Sequence, residues 1–256
     1  QVMDQLKSSL PKERTAVILS NGSPGEKFEN VVRRTFFKNV ENQIHNNPTI
    51  KSGVFPQIDR VLKEASDELL KDTLPITEDT ATGYLQNITS GRISNIFDFW
   101  GPSYVIDGAC ASSLISICNG VSGLLTHEYD AVITGGLELT ISEVGLAAFS
   151  AINALSPDGE YPFDSRANGF AMGLGGGIVV LKRLSDALND GDFIYSVISG
   201  YGVKSDGKGK YIAAPIEEGQ VRAIQSACKM AGYPVDTIEM IEAHGTGTIV
   251  GDVVEV

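Results

Sequence analysis

Short apolar runs alternate with longer amphipathic segments along most of the chain. The runs are rich in β-branched residues and end at glycine, asparagine or aspartate, as buried strands often do. They predict strands over 15–20, 104–107, 131–134, 177–181, 193–203 and 238–243. The segments 58–70, 112–128 and 221–231 carry apolar side chains at helical spacing. Strands and helices in this order indicate a layered α/β fold with a parallel or mixed sheet.

The segment 112–128 is the clearest amphipathic helix, with one apolar face. The members of this face are Leu114, Ile117, Cys118, Val121, Leu124 and Leu125. The strand that follows is predicted to stop at Gly135 and Gly136, because glycine weakens a strand interior. Earlier in the chain, 27–71 indicates helices interrupted by prolines and a glycine, and acidic residues in 77–80 indicate the start of another helix.

Composition narrows the function classes. The chain has 256 residues, 42% of them hydrophobic, and a net charge of −12, which argues against nucleic acid or an anionic membrane as the main partner. No apolar run approaches the ~18 residues of a membrane-spanning helix. Nothing at the N-terminus resembles a signal peptide. The chain starts at Gln1 rather than Met, so we expect it to be part of a longer protein.

Cysteine and histidine use predicts neither a disulfide framework nor a metal site. The three cysteines, Cys110, Cys118 and Cys228, show no C-x-x-C spacing. The three histidines, at 45, 127 and 244, form no H-E-x-x-H pattern. Free thiols are typical of a reducing compartment, and we therefore expect a cytoplasmic protein.

Cys110 is the first candidate nucleophile. It lies in Asp107–Ser113, where a predicted strand ends, small residues form a tight turn and a helix begins. The N–H groups and positive dipole end of a helix favour a thiolate there. A buried apolar cysteine fits the same context, and the context alone leaves both possibilities open. Cys118 and Cys228 lie within helical patterns, and we expect both in the core.

His244 is the second candidate. It follows the apolar run 238–243 and precedes a glycine-rich turn. A histidine at the mouth of a sheet can act as a general acid or base, or donate a hydrogen bond to a developing oxyanion. A histidine whose polar atoms are satisfied by nearby backbone is the alternative. His45 and His127 lack small neighbours that would give a substrate access, and we interpret both as solvated.

The glycine-rich stretches do not indicate a nucleotide site. The stretch 169–177 precedes a predicted strand, whereas a dinucleotide-binding loop follows a strand and opens a helix. The glycines at 245, 247 and 251 miss the G-x-G-x-x-G spacing by one residue.

The motifs DGACASSL around Cys110 and EAHGTGT around His244 resemble the two signatures of the β-ketoacyl synthases of type I fatty acid and polyketide synthases. Other stretches are similar to that family in the same order, namely 87–103, 133–139, 162–184 and 205–220. The similarity runs from about residue 77 to the C-terminus, and more weakly from residue 14. Within that family, the chain most resembles the ketosynthases of polyunsaturated fatty acid synthases.

The resemblance implies a thiolase-like α/β fold, layered α-β-α-β-α with two similar βαβαβ halves. Residues 1–184 would be most of the first half, and 185–256 the start of a truncated second half. It also implies a homodimer whose contact strand is about Ser103–Asp107. The family's second catalytic histidine, its lysine and its second oxyanion donor would lie beyond the C-terminus, so we expect an incomplete active site.

The resemblance also implies a mechanism. Cys110 would be acylated by a carrier-bound thioester, and a malonyl-type extender would then be decarboxylated and condensed with that acyl group. His244 matches the first active-site histidine of the family, and the Cys110 N–H matches one oxyanion donor. No cofactor or metal is implied, because the substrates arrive on the phosphopantetheine arm of an acyl carrier protein.

Three positions depart from the family pattern. Gly108 stands where the family has threonine, and Ala111 where it has serine; both keep the turn small. Leu174 replaces a glutamate of the glycine-rich stretch, which removes a polar anchor.

Two other functions remain open. A cysteine hydrolase of the α/β-hydrolase type would use a nucleophile elbow at Gly108–Ser112, with Asp206 or Glu242 as the acid. The second open function is that of a non-catalytic partner similar to a chain-length factor. Such partners commonly lack the cysteine, so the presence of Cys110 argues against this function.

Overall fold

The computed structural model describes residues 10–22, 25–51, 53, 55–209 and 214–256. Residues 210–213, within the family-like segment 205–220, lie outside the described residues. The chain divides into two compact units. The sheet unit comprises Gln1–Gly22 and Ser90–Val256, and the helical unit comprises Ser23–Thr89. No helix of the described chain is both long and apolar enough to cross a membrane.

The sheet unit is built on four strands. They are β1 (Thr15–Asn21), β2 (Ser103–Ile106), β3 (Ala131–Glu138) and β4 (Gly175–Lys182). Their order in the sheet is β2-β1-β3-β4, with β1 parallel to β2 and to β3, and β4 antiparallel to β3. The fold is therefore mixed α/β, as the alternating pattern predicted. Each of these four predicted strands is confirmed, and β3 and β4 are longer than expected.

The helices of the described residues fall between and after these strands. Their bounds are α1 (Glu26–Asn46), α2 (Pro48–Lys51), α3 (Ile58–Leu70), α4 (Thr80–Tyr84), α5 (Asn87–Phe97), α6 (Ser112–Leu125), α7 (Glu143–Ala151), α8 (Leu184–Asp190), α9 (Glu217–Ala231) and α10 (Gly251–Glu255). Single 3-10 turns cover Lys12–Arg14, Ala109–Ala111 and Val235–Thr237. The predicted helices at 58–70, 112–128 and 221–231 are confirmed, with ends that differ by a few residues.

The core lies on both faces of the central pair β1 and β3. Alternate residues of β1 point to opposite faces, so Val17 and Leu19 join one cluster while Ala16 and Ile18 join the other. Phe99 closes the first face, with the partly buried Ile93 and Phe97 of α5 against it. Leu124 of α6 and Tyr129 close the second face. This two-sided burial explains the nearly continuous apolar sequence of β1.

The helix α6 turns a small-residue face toward the sheet, which the apolar pattern did not predict. Its buried residues are Ser112, Ser116, Gly120, Gly123 and Leu124. Leu114 and Leu125, by contrast, are 67% and 56% exposed. An added Cβ at Gly120 would lie 3.0 Å from Val132 Cγ1, and one at Gly123 would lie 2.1 Å from Tyr129 Cζ. Larger side chains would push the helix away from the sheet.

Gly135 and Gly136 do not end β3, contrary to the sequence-based expectation. Both lie within the strand and pair with β4. An added Cβ at Gly136 would lie 2.6 Å from Ser113 Cβ, in the first turn of α6. The Ser116 hydroxyl donates a hydrogen bond of 3.0 Å to the Gly135 carbonyl. The two glycines therefore mark a close approach of the helix rather than a strand end.

The predicted strands at 193–203 and 238–243 are wrong: neither segment is a strand in the structure. A strand requires a hydrogen-bonded partner, and no strand of the described chain runs beside either segment. The first segment lies against α9 instead, where an added Cβ at Gly200 would come within 2.4 Å of the Ala227 carbonyl oxygen. In the second, Met240 and Ile241 are 82% and 77% exposed.

A network of ion pairs joins the ends of three strands. Asp130 accepts hydrogen bonds from Arg14, just before β1, and from Arg183, just after β4. The two guanidinium groups, Arg14 foremost, lower the pKa of Asp130 to about 2. Arg183 also donates to the Tyr129 carbonyl at 2.9 Å. The network therefore holds the loop between α6 and β3.

We predict that Gly136→Ala destabilises the sheet unit by about 1–3 kcal/mol, because the new methyl group would overlap Ser113 and Ser20. Urea unfolding followed by circular dichroism measures the change. Gly175→Ala is the matched control, since a Cβ there meets nothing within 4 Å. The close packing of α6 is refuted if the two variants unfold at the same urea concentration.

Candidate functional site

Cys110 lies at the carboxyl end of β2, in the single 3-10 turn that leads into α6. Side chains on both sides of it fix this turn. The Asp107 carboxylate accepts the Ala109 N–H at 3.0 Å. The Ser112 hydroxyl accepts the Gly108 N–H at 2.8 Å and donates to the Ala109 carbonyl at 2.6 Å. The thiol is exposed, so the structure favours an accessible cysteine over a buried one.

The backbone of this turn also presents a hydrogen-bond donor. The N–H groups of Gly108, Ala109 and Ala111 are all bonded within the turn. The Cys110 N–H has no acceptor within the described part of the chain. Ala109 has a φ of 51°, a left-handed conformation that costs energy for a residue with a Cβ. The turn therefore holds the thiol and a free N–H together at one exposed position.

His244 lies at the end of the extended segment 238–243 and is exposed. Its ring makes no hydrogen bond or ion pair with the described residues, but its backbone is firmly held. The Glu255 carboxylate in α10 accepts the N–H of His244 at 2.9 Å and the N–H of Gly245 at 2.8 Å. Gly245 and Gly247 have φ values of 56° and 70°, which glycine adopts without strain.

Asp252 connects the loop of His244 to a second loop. The residue is 6% exposed, and its carboxylate accepts the Gly247 N–H at 3.0 Å and the Phe163 N–H at 2.5 Å. Phe163 has a φ of 59°, and its ring lies against Gly245, where an added Cβ would be 3.4 Å away. A strained backbone persists only where its surroundings hold it. Asp252 and Phe163 therefore fix the course of the chain directly after His244.

Sequence reasoning missed Asp252 and Glu255. The signal was present, because two acids three residues apart follow a glycine-rich turn and share one helix face. A carboxylate near exposed backbone N–H groups is a common way to satisfy them.

The glycine-rich stretch 169–177 is anchored although Leu174 stands where the resemblance implied a glutamate. Leu174 is 60% exposed. Instead, Gly169 donates its N–H to the Gly247 carbonyl at 2.9 Å, and Ala171 donates to Glu160 at 3.1 Å. The first bond ties the stretch to the His244 loop, and the second ties it to the loop of Glu160.

The remaining cysteines and histidines have other surroundings. Cys118 and Cys228 are half-buried in α6 and α9, and neither belongs to the fully buried clusters that we expected them to join. Burial raises the pKa of the Cys118 thiol. His127 is exposed, and His45, also exposed, pairs with Asp59 at 2.9 Å. The interpretation of both histidines as solvated is confirmed.

The structure does not join the two candidate residues directly. No hydrogen bond links the side chains of Cys110 and His244 within the described ranges. Nor do three histidine, cysteine or acidic side chains there lie close enough together to hold a metal ion. The two candidate residues are both exposed, and each lies on a firmly held backbone.

Two family models match the chain. One, described as the N-terminal domain of β-ketoacyl synthases, matches residues 47–187. The other, described as the C-terminal domain of the same enzymes, matches residues 195–256.

Relatives among curated and solved proteins agree with these models. One polypeptide of the phenolphthiocerol/phthiocerol polyketide synthase, from Mycobacterium tuberculosis H37Rv, is 39% identical over 177 residues, which is 69% of this chain and 12% of that protein. Another polypeptide of the same synthase, from strain CDC 1551, is 40% identical over 176 residues, 68% of this chain and 10% of that protein. The ketosynthase from module 6 of the bacillaene synthase of Bacillus subtilis 168 superimposes with a TM-score of 0.71 at 27% identity, covering 97% of this chain and 36% of that one.

We predict that Asp252→Ala accelerates hydrogen exchange at Gly247 and Phe163, because both N–H groups lose their acceptor. An unsatisfied buried donor costs about 1–3 kcal/mol, and the unfolding free energy should fall by a similar amount. Exchange measured by mass spectrometry on peptides that contain these residues tests this. Asp236→Ala, at an exposed acid, is the control. Unchanged exchange at both amides would contradict the assigned role of Asp252.

Proposed function

The chain belongs to the β-ketoacyl synthase family, and from this premise we propose that it carries the nucleophile and one histidine of a carbon–carbon bond-forming acyltransferase. The observation that carries the proposal is the turn at Cys110, with an exposed thiol and a free N–H on the same residue. The chain spans only 9–12% of the length of the curated relatives that it matches. The condensing activity of the whole protein is therefore a proposal too.

In the first half-reaction, the Cys110 thiolate attacks the carbonyl carbon of a carrier-bound acyl thioester. The new C–S bond forms as the carrier's thiolate leaves, so the acyl group moves from one sulfur to another. The charge that develops on the carbonyl oxygen needs a hydrogen-bond donor. The Cys110 N–H, which has no other acceptor in the described residues, is available for this role.

In the second half-reaction, a malonyl-type extender loses CO₂ and becomes an enolate. The enolate carbon attacks the Cys110 thioester, a C–C bond forms and the cysteine thiolate is released. Charge accumulates on the extender's thioester oxygen, and a neutral His244 would donate a hydrogen bond to it. The fixed backbone of His244 supports this role, since a donor stabilises a transition state best when it is already in place.

We also propose the family's larger arrangement of two βαβαβ halves, with residues 1–184 in the first and 185–256 in the second. The bounds of the two family models, 47–187 and 195–256, support a boundary in this region. The five-layer fold with a second sheet, the polyunsaturated fatty acid subfamily and a cytoplasmic location are proposed on the family resemblance.

An acyl carrier protein and a second copy of this chain are the proposed partners. Relatives of the chain belong to polyketide synthases, which supports a carrier-bound substrate. The homodimer would form through Ser103–Asp107. Its support is the position of β2, which pairs only with β1 among the described strands and so leaves one strand edge open.

Cys110 should be the acylated residue in the full-length protein. With an acyl thioester or a cerulenin-like electrophile, we expect mass spectrometry to place the adduct on the peptide that contains Cys110. Cys110→Ser should abolish labelling at this position, whereas Cys228→Ser, a matched change in a half-buried cysteine, should leave it intact. An adduct mainly on Cys118 or Cys228 would disprove the assignment.

His244→Ala should slow condensation far more than acylation. The reason is that His244 is proposed to stabilise a charge that arises only on the extender, and losing one such donor costs about 10²–10³ in rate. Rapid-quench assays of the two half-reactions measure the two rates separately. His127→Ala, at another exposed histidine, controls for the loss of an imidazole. If His244→Ala slows both half-reactions equally, its proposed role is wrong.

A further inference from the structure

The helical unit contains a cavity of about 210 Å³ beside α1. Its lining combines one cation, polar side chains and an apolar wall: Lys27, Asn30, Val31, Leu74, Pro75, Ile76, Thr77 and Thr80. We call it the α1 cavity. Neither Cys110 nor His244 belongs to this unit.

The polar side of the α1 cavity consists of hydrogen-bond donors. Lys27 is half-buried and has no acidic partner among the described residues. Asn30 is 7% exposed, and its Nδ2 has no hydrogen-bond partner in the described chain. The Thr80 hydroxyl already accepts the Thr77 N–H at 2.8 Å, which leaves its proton to donate. Donors without acceptors among the described residues, one of them a cation, favour an anionic ligand.

The rest of the lining is largely apolar, and part of it is held in place. Leu74 and Ile76 are both 55% exposed, so their side chains offer surface that a hydrocarbon could cover. Arg34 in α1 donates to the carbonyls of Thr73 and Leu74 at 2.6 and 2.7 Å. These bonds hold the wall against the helix. A largely pre-formed cavity with a few polar groups in an apolar lining is the usual form of a small-molecule site.

The absence of a side chain at Gly83 leaves the space that the Lys27 side chain occupies. An added Cβ at Gly83 would lie 2.1 Å from Lys27 Cδ and 2.8 Å from Nζ, so the lysine stem crosses the place where a side chain would be. A flexible lysine can move away from such a methyl group at little cost. A Gly83→Ala substitution would therefore displace the Lys27 ammonium group without altering its charge.

We propose that the α1 cavity binds a short aliphatic carboxylate. The carboxylate would accept hydrogen bonds from Lys27, Asn30 and Thr80, and the hydrocarbon tail would cover Val31, Leu74 and Ile76. This site goes beyond the proposed condensing function, and it requires neither Cys110 nor His244.

Titration of the full chain with hexanoate, followed by saturation-transfer NMR and calorimetry, tests the proposal. We expect saturable binding with one site per chain. Lys27→Met should weaken it about tenfold or more, because a charge-assisted hydrogen bond is lost. Lys27→Arg should retain binding. Lys63→Met, the same change at an exposed lysine of α3, should have no effect. Gly83→Ala should weaken binding while preserving the charge.

Two further ligands test the chemical class. Hexanol should not bind, since it lacks the anionic group, and inorganic phosphate should not displace hexanoate, since it lacks the tail. Absence of saturable hexanoate binding to the wild-type chain would overturn the proposal. Equal binding to wild type and Lys27→Met, or displacement by phosphate at equal concentration, would overturn it as well.

Discussion

The close contact between α6 and the sheet determines where the candidate nucleophile lies. Gly120 and Gly123 let the helix approach Val132 and Tyr129, and its first turn lies over Gly136. Since Cys110 belongs to the turn directly before this helix, the depth of the helix also fixes the thiol. Of the apolar side chains of α6 that a simple helix pattern assigns to the core, Leu124 is buried, whereas Leu114 and Leu125 are exposed. Space for the backbone, rather than burial of the largest side chains, governs this interface.

Carboxylates play a corresponding part around His244. Glu255 and Asp252 bind four backbone N–H groups of two loops. Each bond satisfies a donor that the irregular backbone would otherwise leave unpaired. The result is a held main chain with a free imidazole, just as the turn at Cys110 is a held main chain with a free thiol. Both candidate residues are thus held by contacts of the backbone around them, and both side chains are exposed.

Much of the four-stranded sheet could be predicted from sequence, because buried parallel strands leave continuous apolar runs such as Thr15–Ser20. Cys110 and His244 could be named as candidates because each lies in a short motif. Segment 193–203 was mistaken for a strand because pairing depends on a neighbour that no local pattern reveals. Asp252 and Glu255 were missed for a similar reason: their partners are backbone groups of loops, which leave no mark in hydropathy.

The central claim is that an acyl group on Cys110 is passed to a carbon nucleophile rather than to water. A single-turnover experiment with the full-length protein, an acyl thioester and a malonyl thioester tests this most directly, with CO₂, 3-oxoacyl product and free acid measured together. The account predicts that the acyl-enzyme persists until the extender is added, and that CO₂ and the 3-oxoacyl thioester then form one for one. Release of free carboxylic acid without extender, as fast as the enzyme is acylated and with no new carbon–carbon bond, would contradict it and indicate a thioester hydrolase.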